Sequence, residues 1–191
     1  RDVLGSRGLG DVYKRQMLPK VSRMTRMKQM DAVKRHIRLS MELVMCMVCA
    51  MAFGLAAVAV NFAPLFYGDD FAYSGTLMMP LAFTLLSIGF ANVIRTQWVL
   101  PQGRDTIFVH SVLTGAVINL IANFVLIPPF GAMGAAAATV LAEFSVPAVQ
   151  FVYLRKELPY AQYLKTTGVY CLFGLVMAGV VALLGHVLPL H

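Results

Sequence analysis

The chain has 191 residues, of which 59% are apolar and only 13% charged, against about 45–50% and about 25% in soluble globular domains. With a mean hydropathy of +0.72, this excludes a disordered chain and a soluble enzyme whose one core would have to enclose that many apolar side chains. The net charge of +7 is local: residues 1–38 hold eleven of the sixteen basic residues against three acids, whereas residues 39–191 carry five against six.

The basic start divides at residue 16. Residues 1–16 match no structural pattern, and the string Asp11-Val12-Tyr13-Lys14-Arg15-Gln16 reads as translated adapter sequence, so this stretch is expected to be non-native or disordered. Residues 17–40 form a cytoplasmic amphipathic segment. Val21, Met24, Met27, Met30, Val33 and Ile37 recur at steps of three and four, with Lys20, Arg23, Arg26, Lys28, Lys34, Arg35 and Arg38 around much of the remaining circumference. That pattern predicts a helix lying in the membrane interface, methionines toward lipid and cations toward headgroups; the alternative is a solvated linker helix. No aromatic side chains interleave with the cations, so nothing here suggests a nucleic-acid partner.

Residues 41–191 are organised by the gaps between charges. After Glu42 the next charge is Asp69, after Asp70 it is Arg95, Thr106 to Ala142 is uncharged, and so is Thr166 to His191. A crossing needs about 20 apolar residues. The gaps therefore predict an all-α polytopic membrane bundle of about five transmembrane helices, near 43–66, 75–98, 107–127, 132–154 and 166–189, the third and fourth divided by Pro128-Pro129-Phe130-Gly131. Basic residues return at every second connection, as Arg95 with Arg104 and then Arg155, Lys156 and Lys165, while Asp69-Asp70 and Pro128–Gly131 carry none. The positive-inside rule then sets the N-terminal segment in the cytoplasm and His191 outside.

Polar residues within the spans are costly in hydrocarbon and need partners or water. Thr84, Ser87, Asn92 and Arg95 fall broadly on one side of the second span, Asn119 and Asn123 follow Gly115 at steps of four on the third, and Thr139, Glu143, Pro147 and Gln150 share a face of the fourth. Glu143 is the one acid deep in any run. These residues predict a bundle with a polar interior. Hydrogen-bond glue between helices is the alternative for Asn119, Asn123 and Glu143, and snorkelling to the surface for Arg95. Pro147 frees a backbone carbonyl near Glu143 and can kink the helix. Small residues from Gly131 through Gly134 to Ala138 allow close helix approach. Cys46 and Cys49 form a C-x-x-C, but it sits inside an apolar helix and reads as small buried side chains rather than a redox or metal site. No metal-ligand spacing, phosphate loop or nucleophile motif occurs, so no metal, cofactor or enzymatic activity is expected.

Several strings resemble one family. Met17-Leu18-Pro19-Lys20-Val21-Ser22 is similar to the LP-x-x-S end of a span in the polysaccharide (O-antigen-type) flippases, and Phe62-Ala63-Pro64-Leu65-Phe66-Tyr67-Gly68 to the close of the next. Leu100-Pro101-Gln102-Gly103-Arg104, then Gly115-Ala116-Val117-Ile118-Asn119, Ile127-Pro128, Gly131-Ala132-Met133-Gly134 and Ala138-Thr139-Val140-Leu141-Ala142-Glu143 follow in the family's order. This resembles the second lobe of such a flippase, within the superfamily that includes multidrug extruders and the lipid II flippase. The resemblance implies a fragment whose partner is the missing N-terminal half, resident in the bacterial inner membrane, with His191 on the periplasmic side. It implies translocation of undecaprenyl-diphosphate-linked oligosaccharide by alternating access, and no transport by this piece alone. In that reading Arg95 attracts diphosphate, Asn92, Asn119, Asn123 and Gln150 line the sugar pathway, and Glu143 carries a coupling proton. A small-molecule exporter of the same superfamily and a non-transporting membrane scaffold are the competing readings.

Overall fold

The structure, a computed structural model, describes residues 30–187, which are helical nearly throughout and contain no strand. α1 runs from Met30 to Tyr67 without interruption. Its buried stripe (Val33, Ile37, Met41, Met45, Cys49 and Ala52, continued by Ala59 and Ala63) follows helical steps of three and four. The helix ends at Gly68, whose φ of 95° suits glycine and whose N–H closes on the Pro64 carbonyl at 2.9 Å.

A single turn at Asp69–Phe71 leads into α2, Ala72–Ala82, and α3, Thr84–Ile94. Pro80 has no N–H to extend the ladder, and the chain bends at Phe83, whose N–H reaches the Pro80 carbonyl at 3.2 Å. Gly75 is where this rod crosses α1: a β-carbon there would stand 2.5 Å from the Ala59 carbonyl oxygen. α3 passes into a wide π-type turn over Arg95–Val99, then a tight turn at Leu100–Gln102 closed by Gly103 with φ 66°.

α4 spans Asp105–Leu154 but doubles back at Gly131, where φ is 54° and ψ −131°. Fifty helical residues in one rod would reach about 75 Å, more than twice the hydrocarbon thickness of about 30 Å. Pro128 and Pro129 weaken the ladder just before the reversal. The arms 105–130 and 132–154 lie antiparallel. A β-carbon at Gly134 would overlap the Leu126 carbonyl, Gly115 faces Ala142 and Val146, and at the open end His110 Nδ1 meets the Tyr153 hydroxyl at 3.2 Å. α5, Tyr160–Val187, returns along α1.

Four helical rods are long and apolar enough to cross a membrane. With the reversal at Gly131 they make the expected five-crossing helical bundle. α1 is central, with α5, α2 and α3 against it, and α4 packs on α2 and α3. Large apolar side chains such as Leu43, Met51, Leu120, Phe124, Phe173 and Val176 point outward, a jacket that lipid solvates and water would not.

The amphipathic segment departs from expectation where it is described. Residues 20–29 and 1–16 lie outside the described residues. From Met30 onward the segment continues directly into the first span, with no break at residue 40. Val33 and Ile37 turn into the protein, in one cluster with Leu154, Leu158 and Tyr163. An apolar stripe is indifferent between lipid and a protein core, and here the core took it. The C-x-x-C does not act as a unit: Cys46 is exposed, whereas Cys49 is buried with its sulfur 3.8 Å from that of Cys171 on α5.

Candidate functional site

Three helical faces meet around a cavity of about 550 Å³. α3 contributes Ala91, Asn92 and Arg95, the arm 105–130 contributes Phe108, Gly115 and Asn119, and the arm 132–154 contributes Thr139, Glu143 and Gln150. With Ile88, Val112 and Val146, which also line it, each set keeps to one side of its helix, so every helix offers one stripe to the cleft. Thus Asn92, Arg95, Asn119, Glu143 and Gln150, separated by up to 58 positions in sequence, share one site.

Asn123 does not line this cavity. Its Nδ2 donates to the Asn119 backbone carbonyl and to Asn119 Oδ1, both at 2.9 Å, and it borders a separate apolar notch with Leu120, Phe124 and Ile127. A step of four overshoots a helical turn by about 40°, so a strip drawn through Gly115, Asn119 and Asn123 rotates away from the cleft. Asn123 steadies Asn119 instead.

Arg95 opens the π-type turn, a geometry found preferentially at functional positions. Its guanidinium carbon lies 4.6 Å from the centre of the Phe108 ring, a cation–π contact. Its Nε is buried without a hydrogen-bond partner among the described residues. Gln150 is 1% exposed, and its Oε1 likewise lacks a partner there. A buried polar atom left unpaired costs about 1–3 kcal/mol, so the wall of the cleft carries one unpaired donor and one unpaired acceptor. Glu143 adds a half-buried carboxylate with no ion pair among the described residues. No group of three metal-ligating side chains occurs among those residues.

Pro147 explains how the cleft wall is joined. Proline cannot donate to the carbonyl four residues back, which is that of Glu143. The Ser87 hydroxyl of α3 donates to that carbonyl, satisfying across helices what the proline withdraws within one. The sequence shows both residues but not their meeting. Ser87→Ala is expected to lower stability by about 1–2 kcal/mol, because the Glu143 carbonyl loses the donor that stands in for the one Pro147 lacks. Thermal melting in detergent measures it, and Ser87→Thr, which keeps the hydroxyl, should recover most of the loss.

A second polar network closes the end of the bundle. Arg104 Nη1 donates to both oxygens of Glu157, at 2.8 and 2.6 Å, and Trp98 Nε1 donates to Glu157 Oε2 at 3.0 Å. It ties the α3–α4 connection to the α4–α5 connection. Sequence reading missed it, since nothing local pairs residues 98, 104 and 157. Burial alone raises the Glu157 pKa, but the hydrogen bonds from Arg104 and Trp98 and the Arg104 charge outweigh it, leaving the carboxyl below its ordinary 4.5. A depressed carboxyl stabilises the fold above its unfolded pKa and loses that contribution as pH falls through the folded one. Trp98 is the chain's one tryptophan, so its emission reads this contact alone. The transition is expected below pH 4.5, and Arg104→Gln should move it upward; a midpoint unmoved by that change would remove Arg104 as the cause.

An apolar-jacketed helical bundle with an open cleft that gathers charged and amide side chains defines a polytopic membrane protein of the transporter kind. The model of the lipid II flippase MurJ family matches residues 14–190. The chain belongs to that family, and so to the superfamily of lipid-linked flippases and multidrug extruders expected from its motifs. The match selects the lipid II branch, not the O-antigen branch that the LP-x-x-S string resembles. No curated protein and no solved structure matched the chain.

Proposed function

We propose that the chain forms one lobe of a flippase that moves lipid II, the lipid-linked peptidoglycan precursor, across the bacterial cytoplasmic membrane. The observation that carries this reading is the cleft itself. A guanidinium, a carboxylate and three amide side chains converge within a bundle whose outside is apolar, alongside membership of a flippase family. A sugar-bearing diphosphate cannot cross hydrocarbon unaided, because its polar groups would lose their water partners. The cleft supplies replacements: Arg95 for diphosphate oxygens through a forked, charge-assisted contact, and Asn92, Asn119 and Gln150 for hydroxyl and amide groups. The hydrocarbon tail stays in lipid. Rocking of this lobe against an opposing one, supplied by the rest of the transporter, opens the cleft to each side in turn.

Glu143 serves as the coupling group, taking up a proton on one side and releasing it on the other. No covalent bond of the cargo is made or broken. The basic ends face the cytoplasm, with Lys34–Arg38, Arg104 and Lys156 on that side, and the far end of α5 faces the periplasm.

A gene encoding this chain together with its opposing lobe is expected to restore peptidoglycan synthesis and viability in a bacterium depleted of its own lipid II flippase. Failure there, together with rescue of surface polysaccharide in a strain lacking its O-antigen flippase, would assign the oligosaccharide cargo instead. Failure in both, with export of small cationic compounds, would return the exporter reading.

A further inference from the structure

At the basic end of the bundle, a second cavity of about 500 Å³ opens between the first turns of α1 and the α4–α5 connection. Lys34, Arg35 and Arg38 line it from α1, and Lys156 and Glu157 from the connection, with Pro159 and Gln162 beside them. Four cations around one opening repel one another unless anions intervene. Of the carboxylates nearby, Glu42 accepts from Arg38 Nε at 3.0 Å and both oxygens of Glu157 accept from Arg104, while Asp31, exposed one turn before Lys34 and Arg35, forms no ion pair among the described residues. Among the described residues, Lys34, Arg35 and Lys156 have no anionic partner, and no ion pair joins α1 to the connection.

The surface next to the cavity is as specific as its charge. Arg35, Leu39, Leu43, Met47 and Met51 succeed one another at steps of four along α1, an exposed face that winds about the helix by about 40° per step. Leu39 is 54% exposed and Leu43 65%, with Met47 and Met51 equally open. Along this face a cation is followed by more than three turns of outward aliphatic side chains, the same order as headgroup and tail in a phospholipid. A free phosphate would use only the cations; the aliphatic stripe has work only for a lipid.

We propose that this cavity seats the phosphate headgroup of an anionic membrane phospholipid, with an acyl chain lying along Leu39, Leu43 and Met47. The lipid supplies the ionic link between α1 and the α4–α5 connection that the protein itself omits. This site is separate from the polar cleft, shares no residue with it, and stands whether or not the cargo is lipid II.

The test uses the full chain in nanodiscs of equimolar phosphatidylglycerol and phosphatidylcholine, with lipids retained on the released protein read by native mass spectrometry. Retention of phosphatidylglycerol over phosphatidylcholine is expected. The double variant Lys34→Gln/Lys156→Gln should lower it about thirtyfold, from about fivefold per cation, and Lys165→Gln, outside the cavity, should leave it unchanged. Added inorganic phosphate at millimolar concentration should not displace the lipid. Equal retention of the two lipids by the unmodified chain overturns the proposal, as does undiminished preference in a double variant whose melting temperature is intact. Displacement by inorganic phosphate would show a free-anion site and overturn the lipid assignment. If the double variant melts early, Arg35→Gln, which removes a more exposed cation, replaces it in the same comparison.

Discussion

Arg95→Ala is expected to weaken binding of a diphosphate-bearing lipid by about 10- to 100-fold, the range set by one charge-assisted hydrogen bond of about 1.5–3 kcal/mol. The effect is large because the guanidinium is already in place. Stacked on Phe108, with Nε unpaired, it needs little ordering when an anion arrives, and removing it leaves no other cation lining the cleft. Arg95→Lys keeps the charge but loses the planar fork and the stacked contact, so it should fall between the two. Titration of nanodisc-held protein with the lipid-linked diphosphate measures the loss. An unchanged melting temperature separates it from misfolding, since the residue lacks a hydrogen bond to lose at Nε. Binding unaffected by Arg95→Ala would move the diphosphate elsewhere and leave Arg95 a structural residue.

Gly134→Val should be the most damaging single change to the fold, at about 3 kcal/mol or more, at or above the upper end of overpacking costs. Any side chain at 134 collides with the Leu126 carbonyl on the other arm of α4. That neighbour is backbone, so a rotamer change cannot relieve the overlap. The arms would separate beside the reversal, and the cleft between them would widen. Gly115→Ala is the internal comparison: its β-carbon would lie 3.1 Å from a Val146 methyl and 3.3 Å from the Ala142 carbonyl oxygen, contacts that a small shift relieves. Its cost should be well below that at 134. Melting curves of both variants give the order directly; equal costs would mean that the arms pack more loosely at residue 134 than the structure has them.

The crossings were legible in the sequence because hydrocarbon thickness sets a minimum length, and the charges from Glu42 to Lys165 mark where each run must stop. The cleft was legible in part for a related reason. Asn92, Arg95, Asn119, Glu143 and Gln150 are expensive against lipid, so they gather on the faces that neighbouring helices turn to one shared cleft. Apolar residues carry no such information. Val33 and Ile37 suit acyl chains and protein interior equally well, which is why the interfacial reading of their stripe did not survive contact with Leu154 and Leu158. Asn123 escaped because helical drift over two turns exceeds what a repeat of four reveals. The Trp98–Arg104–Glu157 contact depends on which connections end up adjacent, and the family branch on small differences spread along the chain rather than on any one motif.

The Ser87 hydroxyl on the Glu143 carbonyl has a mechanical consequence. A helix lacking one rung at a proline flexes there first, yet here the missing rung is replaced by a strut anchored in the neighbouring helix. Flexure of the arm 132–154 at Pro147 therefore pulls on α3 two turns from Arg95. Whatever bends the one rod shifts the other, so the two walls of the cleft move together through a single oxygen atom.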